Sequence, residues 1–143
     1  MKHLLYCTLS LLLFSCQNKS EIKANITTSD SEFVMYEMSE MAGLMEQMYV
    51  ENKRLRDRII ANDTLGEMPS YFQEILTRTL TDPSDLDQFY RDHALFFLHQ
   101  QEQIYSKPQQ AKQQFNLSID ACIACHEVKC GGPIPRIKKL YIK

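Results

Sequence analysis

Apolar residues recur at Val34, Met38, Met41, Met45, Met48, Leu55 and Ile59. These spacings of threes, fours and one seven trace a single face of a long amphipathic helix ending near Ala61. Ser29 followed by Glu32 is a capping-box pattern that sets its start near Ser31, and Asn62-Asp63 with Gly66 break it. A second helix is predicted from Pro69 to about Leu80, with Tyr71, Phe72, Ile75, Leu76 and Leu80 as its apolar positions. Asp82-Pro83 offers an N-cap and a first-turn proline to a third helix, which carries Leu86, Phe89, Tyr90, His93, Phe96, Phe97 and Ile104. Pro108 marks the start of a fourth. This last helix has two adjacent stripes, Phe115-Ile119-Cys122-His126 and Leu117-Ala121-Ala124-Val128, and Gly131-Gly132-Pro133 ends it. No segment alternates as a strand would. Four such helices with short connections bury their stripes most economically as an antiparallel up-down-up-down four-helix bundle, so the expected class is all-α.

The first residues have a different pattern. Met1-Lys2-His3 is basic, and Leu4 to Phe14 is a leucine-rich run too short to span a bilayer, as in an export signal. Leu13-Phe14-Ser15-Cys16 resembles the lipobox of bacterial lipoproteins. The resemblance implies a signal peptide over residues 1–15, a lipidated Cys16, and a membrane anchor on the periplasmic side of a bacterial membrane. An ordinary secretory signal is the alternative. Residues 16–30 are polar and aperiodic and read as a tether, leaving 31–143 as one domain with a basic C-terminal tail.

Charge and composition narrow the picture. With 16 basic and 18 acidic residues, the chain offers no global attraction for nucleic acid, and no nucleic-acid module is recognisable. The absence of Trp and the presence of only four Gly suit helices. Of five cysteines, Cys7 and Cys16 fall in the export segment, whereas Cys122, Cys125 and Cys130 crowd together. A disulfide framework would scatter them, so the cluster points to a site.

Cys122-Ile123-Ala124-Cys125-His126 is a C-x-x-C-H sequence, the attachment signature of haem c. On a helix, positions i, i+3 and i+4 share a face, so both thiols and the imidazole project the same way. The thiols can add across two vinyl groups of one haem, and the adjacent imidazole reaches the iron as proximal ligand. Two other readings stay open. One is a thiol redox pair. The other is a zinc site from Cys122, Cys125, His126 and Cys130, although tetrahedral zinc sites more often draw pairs from distant segments.

A helical bundle with one C-x-x-C-H near the end of its last helix resembles the class II c-type cytochromes, the cytochrome c-prime kind. The resemblance implies a haem in the bundle core with His126 as fifth ligand. It also implies that a first-helix residue faces the far side of the iron. A methionine there gives a six-coordinate electron carrier; a bulky apolar group gives a five-coordinate protein that binds nitric oxide or carbon monoxide. In an antiparallel bundle the late motif lies beside early helix one, where Met38, Met41 and Met45 share the inward stripe. Met41 is the first choice as distal ligand, with Met45, Met38 and His93 as alternatives, and core packing as the competing role for any of these methionines. The family commonly has a basic residue four places after the histidine. Here that place is Cys130, preceded by Lys129.

Beyond the motif, Lys129, Arg136, Lys138, Lys139 and Lys143 face only Glu127 in charge. This basic end reads either as a docking surface for an acidic redox partner or as a solvated tail that packs Ile137 and Leu140 onto the bundle. No Ser-His-Asp arrangement, phosphate loop or second acid–base constellation accompanies the motif. The expected function is therefore one-electron transfer by a mono-haem protein rather than catalysis, with the membrane, a redox protein and a second copy of the chain as partners. A gas-binding haem protein and a lipoprotein with a structural zinc or thiol site are the alternatives.

Overall fold

The computed structural model describes residues 37–143. The export signal, Cys16, the tether, Val34 and the start anticipated at Ser31 lie outside the described residues. Within them the chain is all-α, with no strand. Three long helices, α1 (Glu40–Ala61), α2 (Gln88–Ser106) and α3 (Ala111–Lys129), are followed by a four-residue helix, α4 (Ile134–Ile137). Short 3-10 segments at Ser70–Leu76, Pro83–Asp85, Pro108–Gln110 and Lys138–Leu140 complete the set.

Local chemistry explains the ends. Glu37 to Ser39 are not helical, so α1 does not run through from Ser31. It starts at Glu40, where the Ser39 hydroxyl accepts from the Ala42 amide at 3.1 Å. At its other end Asn62 adopts the left-handed conformation (φ 54°), and its N–H donates to the Arg58 and Ile59 carbonyls. The third helix also starts later than expected. Asp82-Pro83 opens only a three-residue 3-10 turn, and Asp87 caps α2 by accepting from the Tyr90 amide at 2.8 Å.

The anticipated second helix is instead the seven-residue 3-10 segment Ser70–Leu76. Aromatic and β-branched residues (Tyr71, Phe72, Ile75, Thr77, Thr79) are weak helix formers, and so short a helix gains little from cooperativity. Three residues per turn suits its apolar pair. Phe72 and Ile75 eclipse one another on the same side, and both are buried.

Contacts give the directions. Met41 lies beside Tyr90 and Asn52 beside Gln101, so α1 and α2 run the same way. Lys129 meets Asp87 at the start of α2, and Ser118 meets Gln101 further along, so α3 runs opposite to both. Two apolar clusters result. One gathers Met41, Leu44, Met48, Phe72, Ile75, Tyr90 and Phe97. The other gathers Leu55, Ile104, Phe115, Ile119 and the tail residues Ile137, Leu140 and Ile142.

Between them lies a buried polar layer. Gln101 Nε2 donates to Asn52 Oδ1 at 2.6 Å and to Ser118 Oγ at 3.2 Å. Asn52 Nδ2 donates to the Met48 carbonyl at 2.9 Å, and Ser118 Oγ to the Phe115 carbonyl at 2.7 Å. One side chain from each long helix is thereby held in register.

Several stripe assignments change. Phe96 is 48% exposed and Val128 64% exposed, and Leu86 and Leu117 also face outward. The true inner face of α2 is Tyr90, Ala94, Phe97, Leu98, Gln101 and Ile104. The difference is one of phase. Burial is decided by where the neighbouring helices lie, and apolarity alone does not report that.

Candidate functional site

The last turns of α3 carry Cys122, Cys125 and His126, and the helix holds to Lys129, where the Cys130 amide donates to the His126 carbonyl at 3.1 Å. Ile119, one turn before Cys122, is wholly buried and fixes the face that α3 turns inward. Cys122 packs against both apolar clusters and Cys125 against the first.

Three adjoining hollows surround this face, with free volumes of about 370, 530 and 800 Å³ counting their open mouths. His126 and Met45 line all three. The smallest is walled by Met48, Tyr90, His93 and Phe97 together with both motif thiols. The intermediate one is closed by Tyr49 of α1 and Arg136 of α4, with Cys122 on its wall. The largest opens toward Asp82, Asp85 and Lys129.

The imidazole of His126 is oriented by the residue four places on. Its Nδ1 lies 3.0 Å from the Cys130 carbonyl oxygen and 3.2 Å from Cys130 Sγ. A carbonyl only accepts, so Nδ1–H is the donor in this contact, and in the neutral ring the lone pair is then on Nε2. Burial pushes the Cys122 thiol up to about 12, with Cys125 adding to the effect. Burial, then Cys130, raises Cys125, while burial and Asp85 raise Cys130. All three cysteines are free thiols.

The candidate distal residues are not equivalent. Met38 precedes α1 and is 53% exposed, outside the inward stripe assigned to it. Met41 is buried; Tyr90 donates its hydroxyl to the Ile75 carbonyl at 2.7 Å, and the same oxygen lies 3.6 Å from the Met41 sulfur. Met41 reaches the largest hollow, Met45 all three. His93 stacks on Phe89 at 3.9 Å between ring centroids, with Nδ1 2.8 Å from the Phe89 carbonyl, and it lines the smallest hollow, as His126 does. Met48, buried and lining two hollows, was not among the candidates; its place one turn beyond Met45 was the available signal.

The basic tail does not form one open patch. Lys129 Nζ lies 2.7 Å from Asp87 and 3.3 Å from Asp85. Arg136 pairs with Glu46. Ile137, Leu140 and Ile142 are buried, Asn116 and Ile142 exchange two hydrogen bonds, and Lys112 Nζ donates to the Lys143 carbonyl at 2.8 Å. The tail thus folds back along α3, and Lys143 ends far from the motif.

Two thiols and an imidazole on one helix face, turned into hollows walled by Met, Tyr, Phe and Ile, are the donor set and surroundings that a covalently held haem takes. Among the described residues no group of three or more His, Cys, Asp or Glu is arranged to hold a metal ion. Among them also, no helix is long and apolar enough to cross a membrane. Compared with protein-family models, curated proteins and solved structures, the chain matches none.

Proposed function

We propose that the chain is an exported, lipid-anchored mono-haem c-type cytochrome that transfers single electrons. The observation that carries this reading is the direction in which α3 turns its C-x-x-C-H. Cys122, Cys125 and His126 all line one hollow, together with Met45 and Met48 of α1. We read the fold as an up-down-up-down bundle whose second member is shortened to the 3-10 segment Ser70–Leu76. Cys122 and Cys125 hold the porphyrin covalently. His126, its ring oriented by the Cys130 carbonyl, would ligate the iron. The haem would supply a one-electron iron couple whose potential the sixth position tunes.

For that position Met45 replaces Met41 as first choice. Met45 shares all three hollows with His126, whereas Met41 lines only the largest of them. His93 remains the nitrogen alternative, since it shares a hollow with His126. The partner is a redox protein. Because Lys129 and Arg136 are already paired with carboxylates, the basic tail contributes less charge beside the site than its sequence suggests. Cys16 serves as the lipid anchor on the periplasmic side of the membrane.

The test is an optical spectrum, oxidised and reduced, of protein produced alongside a cytochrome c maturation system. Low-spin bands with a weak near-infrared methionine–iron band, lost in Met45→Ala and kept in Met41→Ala, are expected. A high-spin spectrum that shifts with carbon monoxide selects the gas-binding alternative. Protein matured without haem, in a host that loads other cytochromes, overturns the proposal and favours a structural thiol or zinc lipoprotein.

A further inference from the structure

Arg136 plays no part in the motif chemistry, yet it stands on the wall of the site. It belongs to α4, whose Pro135 stiffens the backbone, and Ile137 and Leu140 pin this stretch to the second apolar cluster. Its guanidinium stacks over the Tyr49 ring, 3.8 Å from the centroid. It also makes a two-pronged contact with Glu46, with Nη2 2.8 Å from Oε2. Both side chains of that pair are nearly half exposed, 44% for Arg136 and 47% for Glu46. Exposed pairs contribute little, so the guanidinium can change carboxylates at small cost, and Glu46 can return to water.

Arg136 also lines the 530 Å³ hollow together with Cys122, His126 and Met45. On the wall of the largest hollow, Lys129 is already held by two aspartates, with its side chain only 14% exposed. A haem brings two carboxylates of its own. A carboxylate drawn into a partly apolar hollow needs a cation or a hydrogen-bond donor, and a planar guanidinium offers a matched fork of N–H groups. We propose that Arg136 anchors a carboxylate of the haem, exchanging Glu46 for it and held in orientation by the Tyr49 ring. This inference rests on the haem reading of the site.

The experiment compares haem-loaded wild type with Arg136→Gln, Arg136→Lys and Glu46→Gln. It uses resonance Raman spectroscopy of the haem carboxylate bending band, together with the midpoint potential. The band is expected to shift in Arg136→Gln with a lowered potential, to shift less in Arg136→Lys, and to stay in place in Glu46→Gln. An unmoved band in Arg136→Gln overturns the inference. So does an equal disturbance in Arg136→Gln and Glu46→Gln, which would mean that the pair only holds the tail. If Arg136→Gln does not fold, Arg136→Lys against Glu46→Gln decides by the same band. Wild-type protein without haem overturns the parent reading instead.

Discussion

The two ends of the described domain are built differently. Around Met41, Met48, Tyr90 and Phe97 the core is rich in methionine and aromatic rings and is interrupted by hollows that reach the motif. Around Leu55, Ile104, Phe115 and Ile119 the core is branched aliphatic and phenylalanine, nearly free of exposure, and capped by the C-terminal tail. The buried Asn52-Gln101-Ser118 layer divides them. The close-packed end buries Phe115 and Ile119 completely and so fixes the face that α3 turns inward. The methionine end leaves adaptable side chains and open space beside the motif. A site of this kind needs both: a helix that does not rotate and a wall that gives.

The largest break in this comparison should come from the packed end. Phe115→Ala is expected to cost about 3–5 kcal/mol in the haem-free protein, measured by urea unfolding, because a rigid surround cannot close on the cavity. Met48→Ala should cost about 2 kcal/mol, the low end of the large-to-small range, since its neighbourhood already contains open space. Equal losses for the two substitutions would abolish the distinction.

A middle-sized effect is expected at the dividing layer. Gln101 is fully buried and its Oε1 has no partner, so the layer stands close to the limit of what it can satisfy. Gln101→Leu alone strands Asn52 Oδ1 and should cost about 1–3 kcal/mol. Adding Asn52→Leu removes the stranded group and should recover part of that loss in a double-mutant cycle. Strict additivity would mean that the two side chains do not act as a unit.

The smallest effect concerns acid. Lys129, and then the Tyr90 amide, hold the Asp87 carboxyl below its ordinary value. A carboxyl depressed on folding adds stability that is present above its unfolded value and is lost as pH falls through its folded value. The haem-free protein should therefore weaken as pH drops below the ordinary aspartate range, and Asp87→Asn should flatten that slope. The effect should shrink at high salt because Asp87 is exposed. An unchanged slope in Asp87→Asn would show that the contact between α2 and the end of α3 carries no weight.

Much of the scaffold was legible in advance. The 3.6-residue period and the breakers around Asn62, Pro108 and Gly131 located the long helices, because those signals act within a few residues of themselves. Asp82 and Asp87 are both aspartates ahead of the same apolar run, and only the fold makes Asp87 the cap of α2. The segment at Phe72 and Ile75 read as an α-helix because three- and four-residue spacings are hard to separate in so short a stretch. The polar layer leaves no local signal in the sequence. Asn52, Gln101 and Ser118 look like surface residues until their partners on two other helices are known.

By itself, then, the sequence determined the all-α class, the long helices and the grouping of Cys122, Cys125 and His126 on one face, since all of these follow from spacing along a helix. Only the tertiary structure decided which way that face points, which methionine shares the hollows with His126, and that Arg136 and Glu46 meet across 90 residues. Those facts depend on the phase of one helix against another. That phase is set by the summed packing of the whole core and is written in no local stretch of the chain.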